Sequence, residues 1–208
     1  MTKGRGKQNA VVGVTEHGNS AELVTVANDG ELVDRRRIDL TKGLPTHPYH
    51  HQGSWAVGRY TDSPWSKEIT LPEAIGLVEQ VQEASKQGAV KCLEALVETV
   101  PATITGIAIR ACPELPATIE ECIRDNRAQA VADTVMYRQA LAAAAEARGW
   151  AVFWYDREKV FGYAARALDC DDIDAFIAEM GRAVGPPWQA RHKQAAAAAI
   201  AALMHPLS

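Results

Sequence analysis

Ala10-Val11-Val12-Gly13-Val14-Thr15-Glu16-His17 is the stretch on which the fold turns. Its apolar residues lead into polar groups at the C-terminal end, and valine favours strands. Gly18 allows a sharp turn directly afterwards. The stretch therefore reads as a buried first strand that ends in a carboxylate, a common beginning for an active site in an α/β protein.

Working outward, Ala21 to Ala27 alternates as a half-buried strand, and Asn28-Asp29-Gly30 is a strong turn signal. Residues 31–40 return as a third strand, giving a three-stranded antiparallel meander. The run Arg35-Arg36-Arg37 reads first as a solvated sheet edge; contact with phosphate is the sharper alternative. Residues 41–70 form a long irregular stretch rich in Pro and Gly, containing Trp55 and Trp65. Loops of that length inside a domain are uncommon and often functional. From Thr70 apolar residues recur at helical spacing as far as Val100, with Pro72 and Glu73 in the first turn. Gly88 signals either a break or a close contact. Ile104 to Ala111 reads as a buried parallel strand. A helix or helix pair then runs to Arg148, and Trp150 to Tyr155 is another strand. Three helices complete the chain, over 159–168, 173–184 and 190–204. The alanine tract Ala195–Ala199 implies tight packing on a neighbour. This order predicts an α/β fold: a mixed sheet, the meander plus two parallel strands, with helices on both faces.

The chain has 208 residues, 47% of them hydrophobic and 23% charged, enough for one domain with a substantial core. Residues 10–208 read as that domain, preceded by a flexible N-terminal segment, 1–9, which lacks the apolar core of a secretory signal. The net charge is −4, so any nucleic-acid contact needs a local basic patch. No apolar run suits a membrane span, which excludes a membrane partner of that kind. Cys92, Cys112, Cys122 and Cys170 form no Cys-x-x-Cys pair, and reduced thiols in a cytoplasmic protein are the expectation.

With these elements in order, the chain resembles the ribonuclease H-like superfamily, and within it the bacterial Holliday-junction resolvase group, from Val11 to about Met204. Val12-Gly13-Val14-Thr15 sits where that group has a first strand ending in Asp. Ile107-Ala108-Ile109-Arg110 sits where a strand ends in Glu. Residues 152–160 are similar to its fifth strand and the start of the next helix, and His192-Lys193-Gln194 with the following alanines to its last helix. Gly43–His51 and Asp133–Trp150 are also similar to stretches of a bacterial group with no assigned role, a likeness that implies no function.

The resemblance implies two divalent metals held by converging carboxylates. Thr15 and Arg110 occupy the acid positions, and the chain contains no acid from Gln189 onward. Two-metal cleavage of the usual kind is therefore not expected. Glu16, beside Thr15, is either a solvated or salt-bridged terminus or a functional partner of Arg110 at the sheet edge. Arg110 needs an acceptor, from a protein carboxylate or a ligand phosphate. Thr15, His17, Arg110 and Tyr49 are the candidate ligand-binding residues, Tyr49 and Trp55 being able either to stack on a base or to anchor the loop. His47, His50 and His51 could hold a transition metal or simply bond the backbone. Glu16 and His192 are the candidate catalytic pair, although a basic helix start explains His192 equally well. Cys112 reads as a structural thiol, and Asp169, Asp171, Asp172 and Asp174 as helix capping.

Two functions follow. The first is a ribonuclease H-like module without the acidic metal site, binding nucleic acid, another phosphate-bearing ligand or protein. The alternative is a metal-dependent nuclease or phosphodiesterase with an altered site using Glu16, Arg110 and histidines, Zn²⁺ or Mg²⁺ being the cofactor it would need. That alternative requires those side chains to converge on one cleft. A homodimer joined through the Trp-rich loop and Ala-rich helices is a third reading.

Overall fold

The computed structural model describes residues 7–51 and 69–203, the side chain of His51 excepted. The expectations for residues 1–6, for Trp55 and Trp65 within 52–68, and for Met204 lie outside the described residues. Strands β1 (Asn9–His17), β2 (Ser20–Ala27) and β3 (Leu32–Asp39) form an antiparallel meander. Parallel strands β4 (Thr103–Arg110) and β5 (Ala151–Tyr155) extend it on the other side, in the order β3-β2-β1-β4-β5. This is the five-stranded mixed sheet expected from the sequence, a three-stranded antiparallel meander plus two parallel strands.

Strand alternation divides the core in two. Ala10, Val12 and Val14 face helices α1 (Leu71–Thr99) and α3 (Asn126–Glu146). Val11 faces α4 (Val160–Ala167), α5 (Ile173–Val184) and α6 (Ala190–Ala202). Between α1 and α3 lies the short α2 (Ile119–Arg124). The 119–146 segment is thus a pair: Asp125 ends α2, and its carboxylate accepts the Arg127 and Ala128 N–H groups at the start of α3. At the start of α1 the Thr70 N–H donates to Glu73 at 2.8 Å.

Two glycines set the closest approaches. A Cβ on Gly13 would lie 1.8 Å from the Ala195 carbonyl oxygen and 2.7 Å from the Ala199 nitrogen. That contact explains the alanine tract: α6 crosses β1 backbone to backbone, and Ala195–Ala199 are all buried. Gly88 does not break α1; a Cβ there would meet the Leu40 carbonyl oxygen at 1.9 Å.

Two residues of the arginine run on β3 are tied down, while Arg37 stays exposed as a solvated edge. Arg35 donates to the Gly185 and Pro187 carbonyls, while Arg36 pairs with Asp34 and donates to Thr99 of α1. Neighbouring arginines point to opposite faces and fix the edge strand to elements on both. Among the described residues, no helix is long and apolar enough to cross a membrane.

Candidate functional site

The end of β1 sends its two polar side chains to different faces. Thr15 shares the face of Val11 and Gly13, the one covered by α6, and pairs in register with Glu22 of β2. Glu16 points the other way, to α3. There Arg138 donates to it through Nε at 2.9 Å and through a second, shorter contact from Nη2. The two side chains are each 5% exposed. Arg138 also donates from Nη1 to the Ala111 carbonyl at 2.8 Å, so it clamps the end of β1 to the end of β4. Of the two readings of Glu16, the salt-bridged strand terminus is the one observed, and the alternative pairing with Arg110 is corrected: the carboxylate meets Arg138, which lies on the same side of the sheet. No bulge interrupts the β1–β2 register at Glu16, so this acid does not turn to the face that holds Thr15.

A cleft of about 880 Å³ opens at this C-terminal edge. Glu16, His17, Arg37, His47, Arg110 and Arg138 all line it. Its charged groups are three arginines against one glutamate, a local excess of +2 in a chain of net charge −4. Arg37 donates to Ser20 Oγ at 3.2 Å. Arg110 ends β4, half-buried, with no carboxylate partner among the described residues. Cys112 also lines the cleft. Burial pushes its thiol up despite the neighbouring Arg138, so it is held as a thiol rather than a nucleophilic thiolate.

Beside the cleft, the short 3₁₀ helix Pro48–His51 is pinned to α3. The Tyr137 hydroxyl donates to the Thr46 carbonyl at 3.0 Å, and the Tyr49 N–H donates to Asp133 Oδ1 at 3.3 Å. Asp133 Oδ2 faces His47 Nδ1 at 3.2 Å and His50 Nδ1 at 3.5 Å. Asp133 is 5% exposed and His47 51%, so the group runs from the core to the surface. The hydrogen bond to Asp133 raises the His47 pKa, whereas burial lowers that of His50. Two of the three candidate histidines, His47 and His50, thus come together with an aspartate that the sequence did not single out; the His51 side chain lies outside the described residues. Tyr49 is buried beneath the loop, its hydroxyl accepting from Gln82 at 3.3 Å and pushed up to about 12 by burial. It anchors the loop and is not placed to stack on a base.

His192 does not join this cleft. It lies on the opposite sheet face, where Nε2 is 3.3 Å from Glu22 and the ring stacks on Trp188 at 5.7 Å between centroids. Its Nδ1 accepts the Gln189 N–H at 3.1 Å, closing the first turn of α6. Burial lowers its pKa. Asp172 caps α5 by accepting the Ala175 N–H, as the sequence suggested.

Asp133 and Arg138 are the residues that sequence reasoning missed. Both sit 80 residues or more from the ionisable side chains they meet, so no local spacing links them. A signal was nonetheless present. Gln129, Asp133 and Arg138 interrupt the apolar, alanine-rich face of α3, and all three are buried. Buried polar side chains require partners from elsewhere in the chain.

No family model matches the chain, and no curated protein sequence matches it. Two solved structures are similar in fold. RuvC of Thermus thermophilus in complex with a Holliday junction substrate is 13% identical, with a TM-score of 0.49 over 92% of this chain and 90% of that one. A second Thermus thermophilus RuvC structure is 14% identical, with a TM-score of 0.43 over 92% of each chain.

Proposed function

We propose that this chain binds a phosphate-bearing ligand, in the first instance the backbone of a nucleic acid, on a ribonuclease H-like scaffold without the acidic two-metal site. The observation that carries the reading is the arginine-lined cleft at the C-terminal edge of β1 and β4, in which Glu16 is committed to Arg138 and Arg110 has no carboxylate partner among the described residues. Open α/β sheets bind ligands at this edge. A planar guanidinium there matches two phosphate oxygens. The positions where the resemblance places metal-binding acids hold Thr15 and Arg110, and α6 carries none. An arginine at that place favours an anion and opposes a divalent cation.

The test is fluorescence anisotropy with single-stranded, duplex and four-way-branched DNA and with an RNA–DNA hybrid at low salt. Saturable binding that weakens about tenfold in Arg110→Ala supports the reading. Absence of binding, or binding indifferent to Arg110, overturns it. Mg²⁺-dependent cleavage abolished by Glu16→Gln would overturn the absence of two-metal chemistry.

A second reading, a phosphodiesterase with an altered site, is favoured by one observation: Glu16, His17, His47 and Arg110 share the cleft. His192 has no part in it, lying on the other face. A carboxylate only 5% exposed, with its Oε1 gripped by Arg138, is held as a structural partner and is a poor general base for a substrate in the cleft. Hydrolysis of an activated phosphodiester that is lost in His47→Gln would favour the enzyme over the module.

A further inference from the structure

We infer that His47, His50 and Asp133 form a binding site for one divalent transition metal of the zinc class, with its remaining coordination position open to the cleft. One ligand atom from each of the three residues lies within 4.8 Å of the others. Asp133 Oδ2 is 3.2 Å from His47 Nδ1 and 3.5 Å from His50 Nδ1. Two ligands of a tetrahedral ion with bonds of about 2.0–2.1 Å are separated by about 3.3 Å. The two spacings to Asp133 bracket that edge and all three ligand atoms lie within 4.8 Å of one another, so an ion can be enclosed by movement of the two imidazole rings.

The supporting contacts are those a metal site needs. Asp133 Oδ1 is occupied by the Tyr49 N–H, which leaves Oδ2 to point at the histidines. A contact on the second oxygen of a ligating carboxylate fixes its orientation toward the ion. The segment that carries the histidines is itself pinned to α3 through Tyr137 and to α1 through Tyr49 and Gln82. The ligands are therefore oriented before any ion arrives.

The donor set selects the metal. Two imidazoles and one carboxylate suit zinc and its neighbours, whereas Mg²⁺ prefers an all-oxygen, mostly hydrated shell. Three protein ligands leave a fourth tetrahedral position. Asp133 and His50 form the inner side of the group, and half-exposed His47 lines the cleft, so the open position faces that space. The inference stands apart from the proposed anion binding, since it rests on α3 and the 3₁₀ helix and not on Arg110.

The test uses tag-free, full-length protein stripped by a chelator and titrated with Zn²⁺ alone by calorimetry, then with Co²⁺ for its visible spectrum. One ion per chain, the intense visible bands of four-coordinate Co²⁺, and no competition from excess Mg²⁺ are expected. His47→Gln and Asp133→Asn should each weaken Zn²⁺ binding by about a hundredfold. His47 is half-exposed, so His47→Gln should keep the circular dichroism spectrum and unfolding midpoint of the wild type, separating lost ligation from lost fold. Absence of saturable binding, or wild-type affinity in His47→Gln, would overturn the site and leave the trio as a hydrogen-bonded anchor of the 3₁₀ helix. No phosphate ligand is present in the titration, so the result is independent of whether the cleft binds DNA.

Discussion

Arg138 of α3 and Glu16 of β1 form an ion pair across the top of the sheet, both side chains 5% exposed, and the same guanidinium holds the Ala111 carbonyl beyond β4. The pair fastens the two central strands to the helix that also carries Asp133. Removing one partner leaves a desolvated charge without compensation, which costs about 3–5 kcal/mol. Glu16→Ala is expected to lose that amount in urea unfolding followed by far-UV circular dichroism. The double replacement Glu16→Leu with Arg138→Met should recover most of the loss, because an apolar pair of similar volume removes both charges together. A loss below about 1 kcal/mol in Glu16→Ala would place the pair in solvent rather than in the core.

Gly13 and Gly76 offer opposite outcomes for the same substitution. A Cβ at Gly13 would meet the backbone of α6 at 1.8 Å, and neither β1 nor α6 can yield without disturbing the sheet centre. Gly13→Ala is expected to destabilise by about 3 kcal/mol or more, the upper end of overpacking costs. Gly76 lies inside α1 with nothing within 4 Å of the added methyl, and there alanine should stabilise by about 0.5–1 kcal/mol. Thermal unfolding of the two variants beside the wild type checks both signs.

The contrast between these glycines marks how far the sequence could be read. The meander, the two parallel strands and the close packing of the alanine tract follow from local patterns: the apolar run of β1, the Asn28-Asp29-Gly30 turn, and small side chains at helical spacing, although β2, read as half-buried, is buried along almost its whole length. Strand parity also foretold that Glu16 and Thr15 point to opposite faces. The partners of Glu16 and His47 were not legible, because each comes from α3, and alternation on one strand says nothing of which distant helix covers it. His192 shows the same limit from the other side. A basic helix start reads as an anion site in isolation, yet the fold sets its ring against Glu22 and Trp188.

Arg110 gives a prediction that separates phosphate contact from base contact. A side chain that neutralises one phosphate releases about one condensed counterion, so log affinity falls with log salt by about 0.9 for each such contact on duplex DNA. Arg110→Ala should therefore reduce the salt slope by about one while weakening binding to all sequences alike. Arg37→Ala, across the same cleft, should act in the same direction. Anisotropy titrations over a salt series check this; an unchanged slope would remove Arg110 from the phosphate path.

His192 sets a pH dependence of stability. Its ring is buried against Glu22 and Trp188, and desolvation holds its pKa below the ordinary histidine value of about 6.5, with Arg35 and Arg191 adding to the effect and Glu22 opposing it. In the unfolded chain the same imidazole takes up its proton at the ordinary value. Over the interval between the two, the unfolded state binds more protons, so stability rises with pH there and falls as the solution is acidified. One proton accounts for at most about 1.4 kcal/mol per pH unit. The loss begins near the ordinary value and levels off below the folded-state value, where both states are protonated. His192→Gln removes this contribution and should flatten the curve in that interval. Urea midpoints of the two proteins, measured in steps through mildly acidic pH, give the difference directly. Parallel curves would mean that the ring takes up its proton alike in both states, and a difference of the opposite sign that it is protonated beside Glu22 in the folded chain as an ion pair.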